Sequence, residues 1–348
     1  MSPNLLPLFL SPLVAFLISF LMTPYVRRWA MTFGFRDRPS VHHSGSLKPR
    51  LGGVALYAAF MIATLGTAPL VEGRTALEWQ RIGGVLLGAS VVLAMGVIDD
   101  RVELRPWPQF LTQVAGAGVA VAFGVVISQV TNPFGTAFRH SMWEFPWPLA
   151  VLLTLFWIVG AMNTVNFIDG LDGLAAGVSA IAAAVLAAHS LLLGQYSIAV
   201  LPLALLGCTV GFLPHNFSPA KVTMGTSGAV FLGFALGTLS IIGGAKAATV
   251  LLVLGVPILD TAWIILRRLF TGGSPFLADR AHLHHRLLEM GLSERQIVLL
   301  FYTLCATFGS LALLLSSRLL KLYTLGGMVL VLGGALALLA QKSLQKRS

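Results

Sequence analysis

The chain has 348 residues, of which 56% are hydrophobic and only 10% charged, against roughly a quarter charged in soluble domains. So few polar residues cannot cover a water-soluble fold of this length. The net charge of +10 would suit nucleic acid, but in so apolar a chain membrane topology explains it better, and no nucleic-acid partner is expected.

In chain order, apolar runs separated by polar or Gly/Pro breaks predict eleven helices near 4–24, 51–70, 83–98, 112–130, 148–165, 174–194, 198–213, 227–243, 247–266, 297–316 and 322–340. Arg27 and Arg28 directly follow the first run and no basic residue precedes it, the reverse of a cleavable signal peptide, so it reads as a retained helix. Lys and Arg in the segments after the odd-numbered spans, chain end included, number 17, and those on the opposite side number 6. The 17-residue side is therefore expected to be cytoplasmic, with the N-terminus outside and the C-terminus inside. The expectation is an all-α polytopic integral membrane protein, residues 1–348 forming one domain, with functional loops near 25–50, 99–111, 166–173, 214–226 and 267–296. Cys208 and Cys305 lie in apolar runs and read as packing residues, not a disulfide framework.

Acidic residues are scarce, and nine of the thirteen fall in the cytoplasmic segments. Asp99 and Asp100 close the run VVLAMGVIDD. Adjacent carboxylates at a helix end repel each other and are tolerated when solvated or near a cation. In Asn163-Thr-Val-Asn166-Phe-Ile-Asp169-Gly-Leu-Asp172-Gly four polar groups recur every third residue. They converge only if the helix breaks, which Gly170 and Gly173 permit. A pocket for a hydroxylated, phosphorylated ligand is one reading; a turn with Asp172 capping the sixth span is the other. Asp260 lies seven residues before Arg267 in the ninth span, about 10 Å deeper along a helix. An ionisable residue at that depth is a functional candidate, or the partner of a hydroxyl or of Arg268. His282, His284, His285 and Arg286 suit anion binding, since imidazole and guanidinium both donate to phosphate oxygens; zinc is the rival and lacks a second ligand group. Lys48 and Arg50 sit close to the bilayer, where they hold a lipid phosphate or anchor the orientation.

Six segments resemble the polyprenyl-phosphate N-acetylhexosamine-1-phosphate transferases of glycosyltransferase family 4: PRLGG at 49–53, GVIDDR at 96–101, NTVNFIDGLDGLAAG at 163–177, NFSPAKVTMG at 216–225, PILDTAWIILRR at 257–268 and DRAHLHHRL at 279–287. The HLHHRL loop is similar to the branch that transfers N-acetylglucosamine-1-phosphate to undecaprenyl phosphate. The resemblance implies an eleven-helix fold with a cytoplasmic cleft in the cell (inner) membrane. In that cleft a lipid phosphate oxygen attacks the β-phosphorus of a UDP-sugar and UMP leaves, producing a lipid-linked pyrophosphoryl sugar for cell-wall or surface-polysaccharide synthesis. It implies catalytic roles for Asp99, Asp100, Asp169 and Asp172. It implies substrate contacts for Lys48, Arg50, Asn163, Asn216, Lys221, Asp260, His282, His284, His285 and Arg286. Magnesium is the metal it implies, manganese the alternative, held at Asp100, Asn166 and the position of Thr226. A homodimer is left open.

Two positions depart from the family pattern. Thr226 stands where the family has a metal-binding aspartate, and Gln109 where it usually has Lys or Arg. Both departures remove a charge from the expected metal–pyrophosphate site. They keep two alternatives in view: a weakened relative that binds lipid phosphate or UDP-sugar, and a secondary transporter that uses Asp260.

Overall fold

The computed structural model describes residues 4–35, 48–132, 142–242, 247–271, 283–315 and 317–345. The chain begins with α1 (Leu6–Thr32), α2 (Gly52–Thr67) and a single tight turn, Ala68–Leu70. α3 (Ala76–Val102) and α4 (Pro106–Ala122) follow, then a hairpin of β1 (Gln129–Thr131) and β2 (Met142–Glu144). The bundle continues with α5 (Trp147–Ile168), α6 (Leu174–Leu192), α7 (Tyr196–Asn216) and α8 (Gly225–Ile241). Its last part comprises α9 (Ala247–Val253), α10 (Gly255–Thr271), α11 (Leu283–Glu289), α12 (Glu294–Leu314) and α13 (Arg318–Gln345). Seven helices among the described residues are long and apolar enough to cross a membrane. The chain is an all-α membrane protein, with one short antiparallel hairpin that the sequence reading did not anticipate.

Several boundaries correct the sequence expectation. α1 runs on to Thr32, into the segment expected to be loop from 25. α3 starts at Ala76 instead of 83 because Thr75 and Glu78 form a capping box, each side chain bonded to the other's backbone amide. The expected loop 99–111 is mostly two helix ends joined by three residues, 103–105. The expected span 112–130 ends at Ala122, and Gln129 already belongs to β1. The ninth span, expected as one helix over 247–266, is divided at Leu254 into α9 and α10.

Small residues let the helices approach closely, the usual basis of packing between apolar helices. Ser11, Ala15, Ser19 and Thr23 of α1 are buried on one face, and the Ser11 hydroxyl donates to the Val200 carbonyl of α7. The opposite face of α1 leaves Phe9, Leu13, Leu17 and Leu21 exposed, as a lipid-facing surface requires. α8 lies at the centre, packed on α5, α3 and α2, with all its residues from Gly225 to Ser240 buried. Both cysteines are buried and free, in keeping with packing roles.

Candidate active site

One crossing organises the polar end of the bundle. Gly96 of α3 faces the backbone of Ser227, where a β-carbon would stand 2.3 Å from the Ser227 Cα. That proximity carries Asp100, one turn later, to the start of α8. Its Oδ1 accepts the Thr226 amide at 2.7 Å and its Oδ2 the Ser227 amide at 3.1 Å. Asp100 thus caps a helix remote in sequence, satisfying amides that the first turn leaves unbonded and placing negative charge at the positive end of the dipole. Gly225, at φ +70°, makes the turn; a β-carbon there would stand 2.5 Å from the Asp100 carboxylate.

The segments PRLGG and VTMG meet at the same place. Thr223 donates its amide to the Pro49 carbonyl at 3.0 Å, and Gly52 and Gly53 donate to the carbonyls of Thr223 and Met224 at 3.1 and 3.0 Å. The seam sets Arg50 against the α3–α8 crossing. Its Nε lies 3.4 Å from Asp100 Oδ1, and its Nη2 donates to Thr226 Oγ1 at 3.4 Å.

Asp99 turns the other way. Its Oδ1 accepts the Leu104 amide at 2.7 Å and Gln109 Nε2 at 2.6 Å. α3 ends beside it with Glu103 in the left-handed region at φ 51°. Gln109 therefore holds Asp99 by a neutral amide contact. One turn along α4, the buried Gln113 accepts from Asn163 Nδ2 at 2.8 Å.

At the break between α5 and α6, Asp172 does not cap α6 as one reading expected; the capping position is Gly173, at φ +82°, with no side-chain bond. Asp172 instead accepts from Lys48 Nζ at 2.9 and 2.6 Å and from the Ala220 amide at 2.8 Å. Asn216 orders the loop that supplies this amide by donating to the Val222 carbonyl at 3.0 Å. Asn166 and Asp169 are half-buried beside this break, and Lys221 is exposed. α12 supports the break: Tyr302 donates its hydroxyl to the Gly173 carbonyl at 2.5 Å.

Asp260 is buried, and its Oδ1 accepts the Leu283 amide at 2.8 Å, which ties α10 to the start of α11. α11 buries His284 and Arg286, with the His284 ring against Gly170 and beside that of His285 at 4.3 Å between centroids. His282 lies outside the described residues. Six of the site residues expected from the sequence fall into three contact groups, Arg50–Asp100–Thr226, Lys48–Asp172–Ala220 and Asp99–Gln109–Leu104, while Asn163, Asn216 and Asp260 make separate contacts. The sequence reading missed Gln113, Tyr302 and the amides of Leu104, Ala220 and Ser227. Gln113 was findable as a polar residue four after Gln109 on an apolar helix; the others carry no local signal.

Two of the three positions expected to hold magnesium, Asp100 and Thr226, are already engaged with protein groups. The Asp100 side chain is 0% exposed with both oxygens bonded to amides, and Thr226 offers a hydroxyl that already accepts from Arg50. Among the described residues no three His, Cys, Asp or Glu side chains converge as metal ligands. A hard cation that dehydrates reluctantly is poorly served by a carboxylate it cannot reach.

An apolar helical bundle with carboxylates, amides and cations gathered at one end defines a polytopic membrane protein with a site for anionic ligands. The glycosyl transferase family 4 profile matches residues 82–244. A probable undecaprenyl-phosphate N-acetylglucosaminyl 1-phosphate transferase of Bacillus subtilis strain 168 is 36% identical over 317 residues, 87% of this chain and 85% of that protein. A decaprenyl-phosphate N-acetylglucosaminephosphotransferase of Mycolicibacterium smegmatis is 36% identical over 319 residues, 83% of this chain and 77% of the relative. A phospho-N-acetylmuramoyl-pentapeptide-transferase of Geobacillus thermodenitrificans is 32% identical over 314 residues, 86% and 94% of the two chains. The chain belongs to glycosyl transferase family 4.

Proposed function

We propose that the chain transfers N-acetylglucosamine-1-phosphate from a UDP-linked donor to a polyprenyl phosphate in the cell membrane, with eleven spans and the site on the cytoplasmic side. The observation that carries the reading is the seam between PRLGG and VTMG, which brings Arg50, Asp100 and Thr226 into one contact group at the end of the bundle. Relatives named for this transfer supply the substrate classes. Phosphoryl transfer asks for positioned charge more than covalent help from the protein. Arg50 and Lys48 supply positive charge, and Asp100 and Asp172 fix where those charges stand. A magnesium ion serving this reaction would bring most of its ligands as phosphate oxygens and water. The basic split of 17 to 6 supports the orientation. The transporter alternative loses its main support because the Asp260 carboxylate holds the α11 amide.

One observation favours a second reading, a relative that binds these ligands and turns them over slowly or not at all. The buried Asp100 and the hydroxyl of Thr226 leave the Arg50 contact group without an accessible carboxylate among the described residues. Transfer of radiolabelled sugar phosphate from UDP-N-acetylglucosamine to undecaprenyl phosphate by purified protein separates the two. Labelled lipid product supports the transferase; bound but unconverted UDP-sugar supports the second reading.

A further inference from the structure

α1 and α7 run in register along a seam of close contacts. On α7, a β-carbon at Gly207 would stand 2.2 Å from the Pro12 carbonyl oxygen of α1, and one at Gly211 2.4 Å from that of Phe16. One turn further along both helices, position 215 carries histidine where the two before it carry glycine, and the α1 carbonyl facing it is that of Phe20. His215 Nε2 lies 3.1 Å from this oxygen, with the two rings 5.2 Å apart. A carbonyl only accepts, so Nε2 carries the proton. The helical donor to the Phe20 carbonyl would be the amide of residue 24, and Pro24, inside α1, has none. The proline frees an acceptor on the same turn at which the seam supplies a donor.

Resting on the transfer reading above, we infer that His215 is a positioning residue for the reaction: it fastens to α1 the loop that leads into α8. Its own carbonyl takes the amides of Lys221 and Val222 at 2.9 and 3.2 Å, which folds that loop back on the end of α7. From the loop, Ala220 gives its amide to Asp172, and Thr223 gives its amide to Pro49 in the seam beside Arg50. The Thr226 and Ser227 amides held by Asp100 follow directly. A second tie runs to α12, where Arg295 Nε donates to the Ser218 carbonyl at 3.1 Å. Without the bond to Phe20 the end of α7 can shift, and the amides that Asp172 and Asp100 hold shift with it.

The test measures transfer from UDP-N-acetylglucosamine to undecaprenyl phosphate, and thermal unfolding, for purified full-length protein in detergent. His215→Phe keeps a ring against Phe20 and loses the donor; kcat/KM should fall about five- to tenfold, the scale of one hydrogen bond, with little change in unfolding temperature. His215→Gln offers an amide donor and should recover most of that loss. Pro24→Ala returns an amide to the Phe20 carbonyl, so in that background His215→Phe should cost less than about twofold. Wild-type rates in His215→Phe, or His215→Gln as slow as Phe, overturn the inference and leave the transfer reading standing. A loss matched by a large drop in unfolding temperature also overturns it, leaving His215 a stability residue. An equal cost of His215→Phe in both backgrounds overturns the link to Pro24; should Pro24→Ala not fold, the Phe and Gln comparison decides alone. Absence of transfer by folded wild-type protein overturns the transfer reading and the inference together.

Discussion

Lys48 and Asp172 are separated by 124 positions, yet the lysine Nζ lies 2.6 Å from one carboxylate oxygen and 2.9 Å from the other. The same carboxylate takes the Ala220 amide, so three distant segments are fastened at one buried point. Removing either partner strands the other in a poorly solvated place. Lys48→Ala and Asp172→Asn should each lower the unfolding temperature in detergent and slow transfer. The double variant should show a coupling of roughly 0.5–3 kcal/mol, the range for residues in direct contact. Strictly additive effects in a double-mutant cycle would reduce the pair to coincidental neighbours.

Asp100→Asn replaces one acceptor oxygen with a donor facing an amide N–H and removes the counter-charge of Arg50. Turnover should fall by about 10²- to 10³-fold, as for other lost preorganised electrostatic contacts. Asp99→Asn keeps an oxygen for the Leu104 amide, and Gln109 can turn its amide to donate or accept, so its loss should be smaller. Initial rates with UDP-N-acetylglucosamine and undecaprenyl phosphate measure both. Equal losses would contradict the separate roles that the two contact groups indicate.

Thr226→Asp places a carboxylate in the first turn of α8, where negative charge is favoured, and next to Arg50. The variant should gain a magnesium-dependent rise in thermal stability that the wild-type chain lacks. A thermal-shift titration with magnesium chloride reads this without relying on activity. A flat response in the variant would mean that position 226 cannot offer an oxygen to a cation, and magnesium-dependent stabilisation of the wild type would contradict the closed geometry around Asp100.

Cysteines introduced at Ser40 and Ser274 should resist an impermeant thiol reagent in intact cells and react after permeabilisation. Cys208 and Cys305 are buried and should contribute little background. Labelling of either new cysteine in intact cells would reverse the proposed orientation.

Much of the bundle was legible because hydrophobic runs report burial directly, and burial in lipid is the dominant demand on such a chain. What escaped were features set by single contacts. The early start of α3 was written in Thr75-Ala-Leu-Glu78, a capping box hidden at the edge of an apolar run. The division at Leu254 lies beside Gly255 and Pro257, and Pro257, in the first turn of α10, has no amide to give the Val253 carbonyl, a break signal that the long apolar run masked. At the site, residue types singled out Asp100 and Arg50, which the fold brings to 3.4 Å of each other, because charge is scarce and expensive in this setting. Their partners were illegible because they are backbone amides: the groups that hold Asp100, Asp99, Asp172 and Asp260 belong to Thr226, Ser227, Leu104, Ala220 and Leu283, and an amide has no sequence signature.

α8 touches no lipid along sixteen successive residues, from Gly225 to Ser240. A segment leaving the translocation machinery meets lipid first, so α8 gains its lasting surroundings only by entering a space already walled by α2, α3 and α5. All three precede it in the chain and can be waiting when it emerges from the ribosome. The Thr226 and Ser227 amides arrive at its leading end, where Asp100 already stands. The order in which the polypeptide is synthesised thus matches most of the enclosure of its central helix, and α9, which follows, packs on afterwards.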